Sequence, residues 1–286
     1  MAILRILLLT LALFAPTTWP AWASQTPAGA LILAVHPYLP ASEIHRRFAP
    51  LAGHLGRALG RAVNVRVGQD YEQHIAAIGQ DEVDIAFLGP VSYVRMVDRY
   101  GRKPLLARFQ IGDDPHLYGV IAVRRDSPLQ RLEDLKGRRF AFGDPESTMS
   151  HIVPRHMLGQ AGVPIDALGH HRFLGSHRNV ALGVLAGDFD AGAMKREVYD
   201  EFPRSGLRAL AISPPSPDHL FVTRADLPAQ DVARLRQAML GLRDDPAGRE
   251  MLKRLHPGLT ALVAAQDSDY DGLRAMVRAV DGASRR

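Results

Sequence analysis

The chain has 286 residues, a formal net charge of +5 and no cysteine, so it offers no disulfide, no thiolate metal ligand and no cysteine for lipid attachment. Its 35 lysines and arginines are scattered and its aromatic content is 7%, which argues against a nucleic-acid binder. Arg5, the apolar run Ile6 to Ala15 and the small-x-small triplet Ala21-Trp22-Ala23 read as a secretory leader cleaved after Ala23. Removing 23 of 286 residues leaves 263, and loss of Arg5 lowers the charge from +5 to +4. No later run is apolar for long enough to cross a bilayer, so the expected location is the periplasm, without membrane insertion once the leader is gone.

From residue 31 onward strands and helices alternate, the pattern of an α/β fold with mainly parallel sheets flanked by helices. Leu31 to Val35 reads as a strand; a helix follows with Ser42 as expected cap, Ile44, Phe48, Leu51, Leu55 and Leu59 on one face, and Gly60 as its stop. Val63 to Val67 is the next strand, and Asp70 with Gln73 opens a helix in capping-box style. Val83 to Leu88 ends at Gly89, and Pro90 suits the first position of a helix carrying Val91, Val94 and Val97. Strands are expected at Pro104 to Phe109 and Leu117 to Arg125, a helical turn at Leu132 to Leu135, and a strand at Arg139 to Phe142.

A helix beginning at Ser147/Thr148 follows, then a strand from His171 to Leu174, a helix after Ser176-His177, and strands at Phe189 to Ala193 and Leu207 to Ile212. Ser213-Pro214-Pro215-Ser216-Pro217 is a stiff connector that neither a helix nor a central strand accommodates. Beyond it come the strand Leu220 to Thr223 and helices at Asp231 to Leu242, Ala247 to Leu255 and Asp269 to Val280. The crossing segments near Leu117 and near Ser213 divide the chain into an expected first lobe of residues 28–118 and 214–286 and a second of 119–213.

Ligands of open α/β sheets sit beyond the carboxyl ends of strands, where this reading places Tyr71, Gly89-Pro90, Ser147/Thr148 and His177. The turn Gly143-Asp144-Pro145-Glu146 followed by Ser147-Thr148 is an anion seat in outline. The first turn of a helix has free N–H groups and partial positive charge, and adjacent hydroxyls add donors. The plainer reading, commoner on local grounds, is that Ser147 only caps its helix. Twelve histidines give a wide background, yet His36, His151, His156, His170 and His171 fall in no recognised metal-ligand spacing, and no metal or cofactor is expected.

The motifs Phe48-Ala49-Pro50-Leu51, Asp70-Tyr71, Val83-Asp84-Ile85-Ala86-Phe87-Leu88-Gly89-Pro90 and Asp126-Ser127-Pro128 carry a family resemblance. So do Asp144-Pro145-Glu146-Ser147-Thr148, Gly175-Ser176-His177, Asp190-Ala191-Gly192-Ala193 and Ser213-Pro214-Pro215. In this order they resemble the periplasmic binding proteins of phosphonate, phosphite and phosphate ABC transporters, a branch of the type II binding-protein fold. The resemblance implies two lobes closing on a small oxyanion in the cleft between them, delivered to an inner-membrane permease, and a monomeric protein. It assigns ligand contacts to Tyr71, Ser147, Thr148 and His177, whose hydroxyls, phenol and imidazole are all donors.

Departures from the pattern fall near the ligand. Met149 stands where the family often has a third hydroxyl, and Leu117, with Tyr118 next to it, where an aromatic is expected. Glu197 matches a position that holds ammonium in aminoalkylphosphonate binders, whereas the second such position falls at His219 beside Asp218. Tyr118, Glu197 and His219 are therefore further candidates, and a small anion without an amine is the expected ligand. Ser147-Thr148-Met149-Ser150-His151, Asn179-Val180-Ala181-Leu182 and Ala193-Met194-Lys195 also resemble a branch that works with membrane sensor kinases. A hydrolase of phosphate esters is the remote alternative, because Ser147 lacks the Gly-x-Ser-x-Gly elbow.

Overall fold

The computed structural model describes residues 29–202 and 206–284. The expected leader, with its cleavage site after Ala23, lies outside the described residues. The chain begins with β1 (Leu31–Val35), α1 (Ala41–Leu59), β2 (Val63–Val67), α2 (Tyr71–Gly79), β3 (Ile85–Leu88), α3 (Pro90–Tyr100) and β4 (Leu105–Ile111). It continues through the short β5 (His116–Leu117) into β6 (Gly119–Arg124), β7 (Arg139–Phe142), α4 (Val153–Gln160), β8 (His170–Phe173), α5 (His177–Ala186), β9 (Ala191–Lys195), α6 (Arg196–Glu201) and β10 (Leu207–Ile212). It returns by β11 (Ser216–Pro217) to β12 (Leu220–Thr223), α7 (Ala229–Leu240), α8 (Pro246–Leu255), β13 (Leu259–Val263) and α9 (Asp271–Ser284).

These strands form a six-stranded sheet in the order β13-β4-β12-β3-β1-β2 and a five-stranded sheet in the order β10-β6-β9-β7-β8. The two-lobed α/β fold is as expected, but neither sheet is mainly parallel. β1 pairs in parallel with β2 and β3, while β12 is antiparallel to β3 and β4, and β13 to β4. In the second sheet β7 is parallel to β8 and β9, and β6 is antiparallel to β9 and β10. The cause is geometric. A strand entering a lobe from the hinge starts at the cleft, so β6 and β12 run against the strands that end there.

The hinge itself is a ribbon in which β5 and β11 pair antiparallel, Leu117 opposite Ser216 and His116 opposite Pro217. Proline is tolerated in so short an edge because it interrupts no central ladder. Beside it Gly119 N–H donates to Ser213 Oγ at 2.8 Å, and Ser213 N–H donates to the Gly119 carbonyl at 2.9 Å.

The apolar stripe of α1 is buried against the first sheet with α7 and α8, through Phe48, Leu51, Leu55, Leu235 and Leu252. Its N-terminal boundary differs from expectation. The helix starts at Ala41 behind Pro40, which fixes the backbone without a side-chain cap, so Ser42 lies inside the first turn. Gly60 ends it at φ 66°, a left-handed conformation that favours glycine. On the sheet's other face lie α2, α3 and α9, and into that same core project Met149, Ile152 and Val153 from the second lobe. Each such side chain stabilises the packed state by roughly 1.5–3 kcal/mol. Met149, 1% exposed, thus packs in the core, with its sulfur 3.8 Å from Ser213 Oγ at the hinge; Leu117, 5% exposed, belongs to the same cluster.

Candidate functional site

Most of the candidate side chains follow the carboxyl end of a strand. After β7, Glu146 N–H donates to Asp144 Oδ1 at 2.7 Å, which tightens the turn before Ser147. The next turn, Thr148–Ile152, is π-helical, with Ile152 N–H reaching the Ser147 carbonyl at 3.1 Å. Such a bulge widens the helix start and turns its first residues outward. Ser147 Oγ accepts from Ser150 N–H at 3.3 Å, so it is a helix cap. Thr148 Oγ1 accepts from Val91 N–H at 3.1 Å, a contact between the second lobe and the first turn of α3 in the first. Each hydroxyl therefore acts as acceptor in the protein and keeps its own O–H to give. Capping and anion binding are compatible at this turn.

After β8, Ser176 caps α5 by accepting from Asn179 N–H at 3.1 Å, which fixes His177 at the first helical position. His177 Nδ1 accepts from Lys195 N–H at 3.1 Å, so the neutral ring carries its proton on Nε2. Burial, then the charge of Lys195 and the nearby His219, pull its pKa down to about 3. At neutral pH it is an uncharged donor.

The facing wall belongs to the first lobe and is built of rings on Phe87. His36 stacks on Phe87 at 5.4 Å and on His219 at 5.4 Å, and Tyr71 lies 5.2 Å from His36. The Phe87 carbonyl lies within hydrogen-bond distance of both His36 Nδ1, at 3.3 Å, and His74 Nε2, at 3.0 Å. His219 is held by Asp218, whose Oδ1 lies 2.8 Å from Nδ1 and also accepts from His219 N–H. Burial holds His36 well below the usual imidazole range and brings His74 to about 4. Burial, with Asp144, Tyr38 and Glu146 adding to it, raises the Tyr71 phenol, so Tyr71 stays a neutral donor.

The structure thus gathers Tyr71 and His219 on one wall, and Ser147, Thr148 and His177 on the other, joined by the Thr148–Val91 contact. One candidate, Tyr118, stands apart. Lying between β5 and β6, it turns outward, its hydroxyl donating to Asp114 at 2.9 Å in an exposed cluster with His116. Glu197 lies on α6, and its Oε2 is buried without a hydrogen-bond partner among the described residues. Two residues not nominated from the sequence join the group, His36 and Lys195. Both directly follow or end a strand, β1 and β9, so the rule that singled out Tyr71 and His177 applies to them as well.

Across the mouth, Arg95 of α3 approaches Glu146 of the second lobe at 2.6 Å and also binds Asp281 at 3.1 Å. The Arg95 Nε–H is not aimed at Glu146 Oε2, so this is charge contact without a formed hydrogen bond. Burial raises the Glu146 carboxyl while Arg95 opposes that rise.

Two mixed sheets joined by a two-strand hinge, with donors facing each other across the gap, define a two-lobed binding protein of type II. A family model described as ABC transporter, phosphonate, periplasmic substrate-binding protein matches residues 33–270, and the chain belongs to that family. It is 26% identical over 220 residues to the phosphonates-binding periplasmic protein of Escherichia coli (strain K12), covering 73% of this chain and 65% of that protein. It is also 26% identical over 198 residues to a probable ABC transporter phosphite binding protein of Prochlorococcus marinus (strain MIT 9301), covering 64% of this chain and 66% of the relative. The chain therefore spans just under two thirds of the length of these relatives. The solved structure of PhnD1 from Prochlorococcus marinus in complex with methylphosphonate superimposes with a TM-score of 0.77 at 22% identity, over 88% of this chain and 98% of that one. Among the described residues, no helix is long and apolar enough to cross a membrane.

Proposed function

We propose that this protein is a periplasmic solute-binding protein that captures a small tetrahedral oxyanion of the phosphonate, phosphite or phosphate kind and presents it to an ABC permease. The family supports the class. The observation that carries the ligand is that Ser147 and Thr148 accept from backbone N–H groups, which leaves both O–H groups free to donate beside the neutral His177. A phosphate-like group supplies acceptor oxygens for these donors and for Tyr71. The division expected from the sequence, 28–118 with 214–286 against 119–213, would have the lobes close about the β5/β11 ribbon, whose pairing supports this reading. An amine on the ligand is disfavoured on this reading, since only one of the two positions expected to hold it is acidic, Glu197, and the other carries His219.

We read the site as one of binding without turnover, and the local hydrogen bonding supports that reading. Ser147 is bonded to Ser150 N–H rather than to a histidine, and His219, backed by Asp218, bonds neither Ser147 nor Thr148. The sensory alternative uses the same cleft with a kinase as reader; the importer is preferred because the family model is that of a transporter component.

A thermal-shift panel of phosphite, phosphate, methylphosphonate, aminoethylphosphonate and sulfate tests the reading. A ligand of the folded state raises the melting temperature by mass action, and at least one phosphorus oxyanion should do so. A flat response to all of them would overturn the proposal.

A further inference from the structure

The charges around the cleft do not balance. Lys195 ends β9, where Gly119 of the hinge-entering strand β6 lies opposite it in the ladder. Its backbone N–H holds His177 Nδ1, so its position is tied to that of the oxyanion donor. Its ammonium acts electrostatically on His177 of its own lobe and on His36 and His256 of the other. Among the described residues, no carboxylate lies within 4.0 Å of it. Other basic residues of this chain do have an acidic partner, as Arg124 has Asp126 and Arg139 has Asp190.

A half-buried ammonium with no counter-charge is costly unless a ligand supplies one. Glu197, two residues on, has an Oε2 buried without a hydrogen-bond partner among the described residues, and it too lies more than 4.0 Å from the ammonium. His36 and His219 stack face to face, and the carboxylate of Asp218 is already engaged by the His219 ring and backbone. A phosphonate without any further group would leave Lys195 to serve the same tetrahedral head that two hydroxyls, a phenol and an imidazole already serve.

Building on the oxyanion reading above, we propose that the cleft takes a phosphonate bearing a second anionic group, a carboxylate, with the tetrahedral head at Ser147, Thr148, Tyr71 and His177 and the carboxylate on Lys195 beside His36. Lys195 is then the residue that sets specificity, selecting an anionic tail where an aminoalkylphosphonate site selects a cationic one.

Calorimetric titration with phosphonoacetate, propylphosphonate and aminoethylphosphonate isolates the tail, since these differ little in length and carry a negative, neutral or positive end. Phosphonoacetate should bind at least about tenfold more tightly than either of the others, a gap of about 1.4 kcal/mol. Lys195→Gln should erase that preference and Lys195→Arg should keep most of it. Propylphosphonate or aminoethylphosphonate binding as tightly as phosphonoacetate would overturn this proposal while leaving the oxyanion reading standing. Equal weakening of all three ligands by Lys195→Gln would overturn it too, by assigning Lys195 to the tetrahedral head. Failure of every phosphonate to bind would sink both.

Discussion

The two walls of the cleft are made by different means. The first-lobe wall is a stack of rings, His36, Tyr71, His74 and His219, resting on Phe87, whose own ring packs at 4.9 Å on Phe221 and Phe109 of the core. The second-lobe wall is a set of polar groups on helix starts: Ser147 and Thr148 on a π-helical turn, His177 on the first turn of α5, Lys195 at a strand end. The first wall is preformed by packing, because its rings cannot move without opening the core. The second offers directed protons, so recognition of charge is concentrated there while the first supplies shape and a low-dielectric backing.

If that division is right, the largest losses come from the second wall. Thr148→Ala and Ser147→Ala each remove a hydrogen bond to a charged oxygen and should weaken methylphosphonate binding by roughly 1.5–3 kcal/mol, with the fold intact by circular dichroism. Unchanged calorimetric affinity in both would reduce Ser147 to a cap and Thr148 to a contact between lobes. His177→Ala should cost about 1–3 kcal/mol of affinity, since it deletes a donor and also orphans Lys195 N–H; His177→Phe, which keeps the bulk but not the proton, should bind no better.

The ring wall should report itself in stability rather than affinity. His36, His74 and His256 are held below the usual imidazole range by burial, the last two to about 4. A depressed folded pKa means that stability is complete above the unfolded value of about 6.5 and is lost as pH falls toward the folded one. The melting temperature of the free protein should therefore drop steadily between about pH 6.5 and pH 4, and His74→Gln should flatten the slope. A profile that is level to pH 4 would show that these rings are not desolvated.

The hinge and the mouth give smaller effects. A Cβ on Gly119 would meet Met149 Sδ at 3.1 Å and the Met149 carbonyl at 3.2 Å, so Gly119→Ala should cost roughly 1–3 kcal/mol of stability and hold the lobes apart, visible as a larger radius in small-angle scattering. Arg95→Met, removing the partly buried pair with Glu146, should weaken ligand binding by only about 0.5–1 kcal/mol. An effect larger than that of Thr148→Ala would place the control of closure at the mouth instead of the anion seat.

How much of this was legible in the sequence depended on the kind of information. Element types followed from periodicity and from punctuation such as Gly60 and Pro90, both of which stand where the pattern put a helix end and a helix start. Strand direction did not, since β6 and β12 read like any other strands and only their entry from the hinge reverses them. The strand β13 is not legible in the sequence, because five residues behind Pro257-Gly258 carry too little alternation to distinguish a strand from a loop. The π-helical start before α4 has no sequence signature of its own. At the site, hydroxyls after a Gly/Asp/Pro turn and a histidine behind a capping serine stand out, whereas Lys195 and His36, although each lies at a strand end, carry no local signal of a ligand role until the structure sets Lys195 N–H against His177 and His36 against His219. Tyr118 is a candidate in the sequence because it adjoins Leu117, yet Leu117 packs in the core while the Tyr118 hydroxyl bonds Asp114 at the surface.

The central claim is that the cleft holds a tetrahedral oxyanion between these walls, and a crystal structure grown with methylphosphonate tests it directly. Ligand oxygens are predicted within hydrogen-bond distance of Ser147 Oγ, Thr148 Oγ1, the Tyr71 hydroxyl and His177 Nε2, with the lobes closed about the β5/β11 ribbon. Methylphosphonate bound elsewhere on the molecule, with Ser147 and Thr148 touching only protein, would contradict the account.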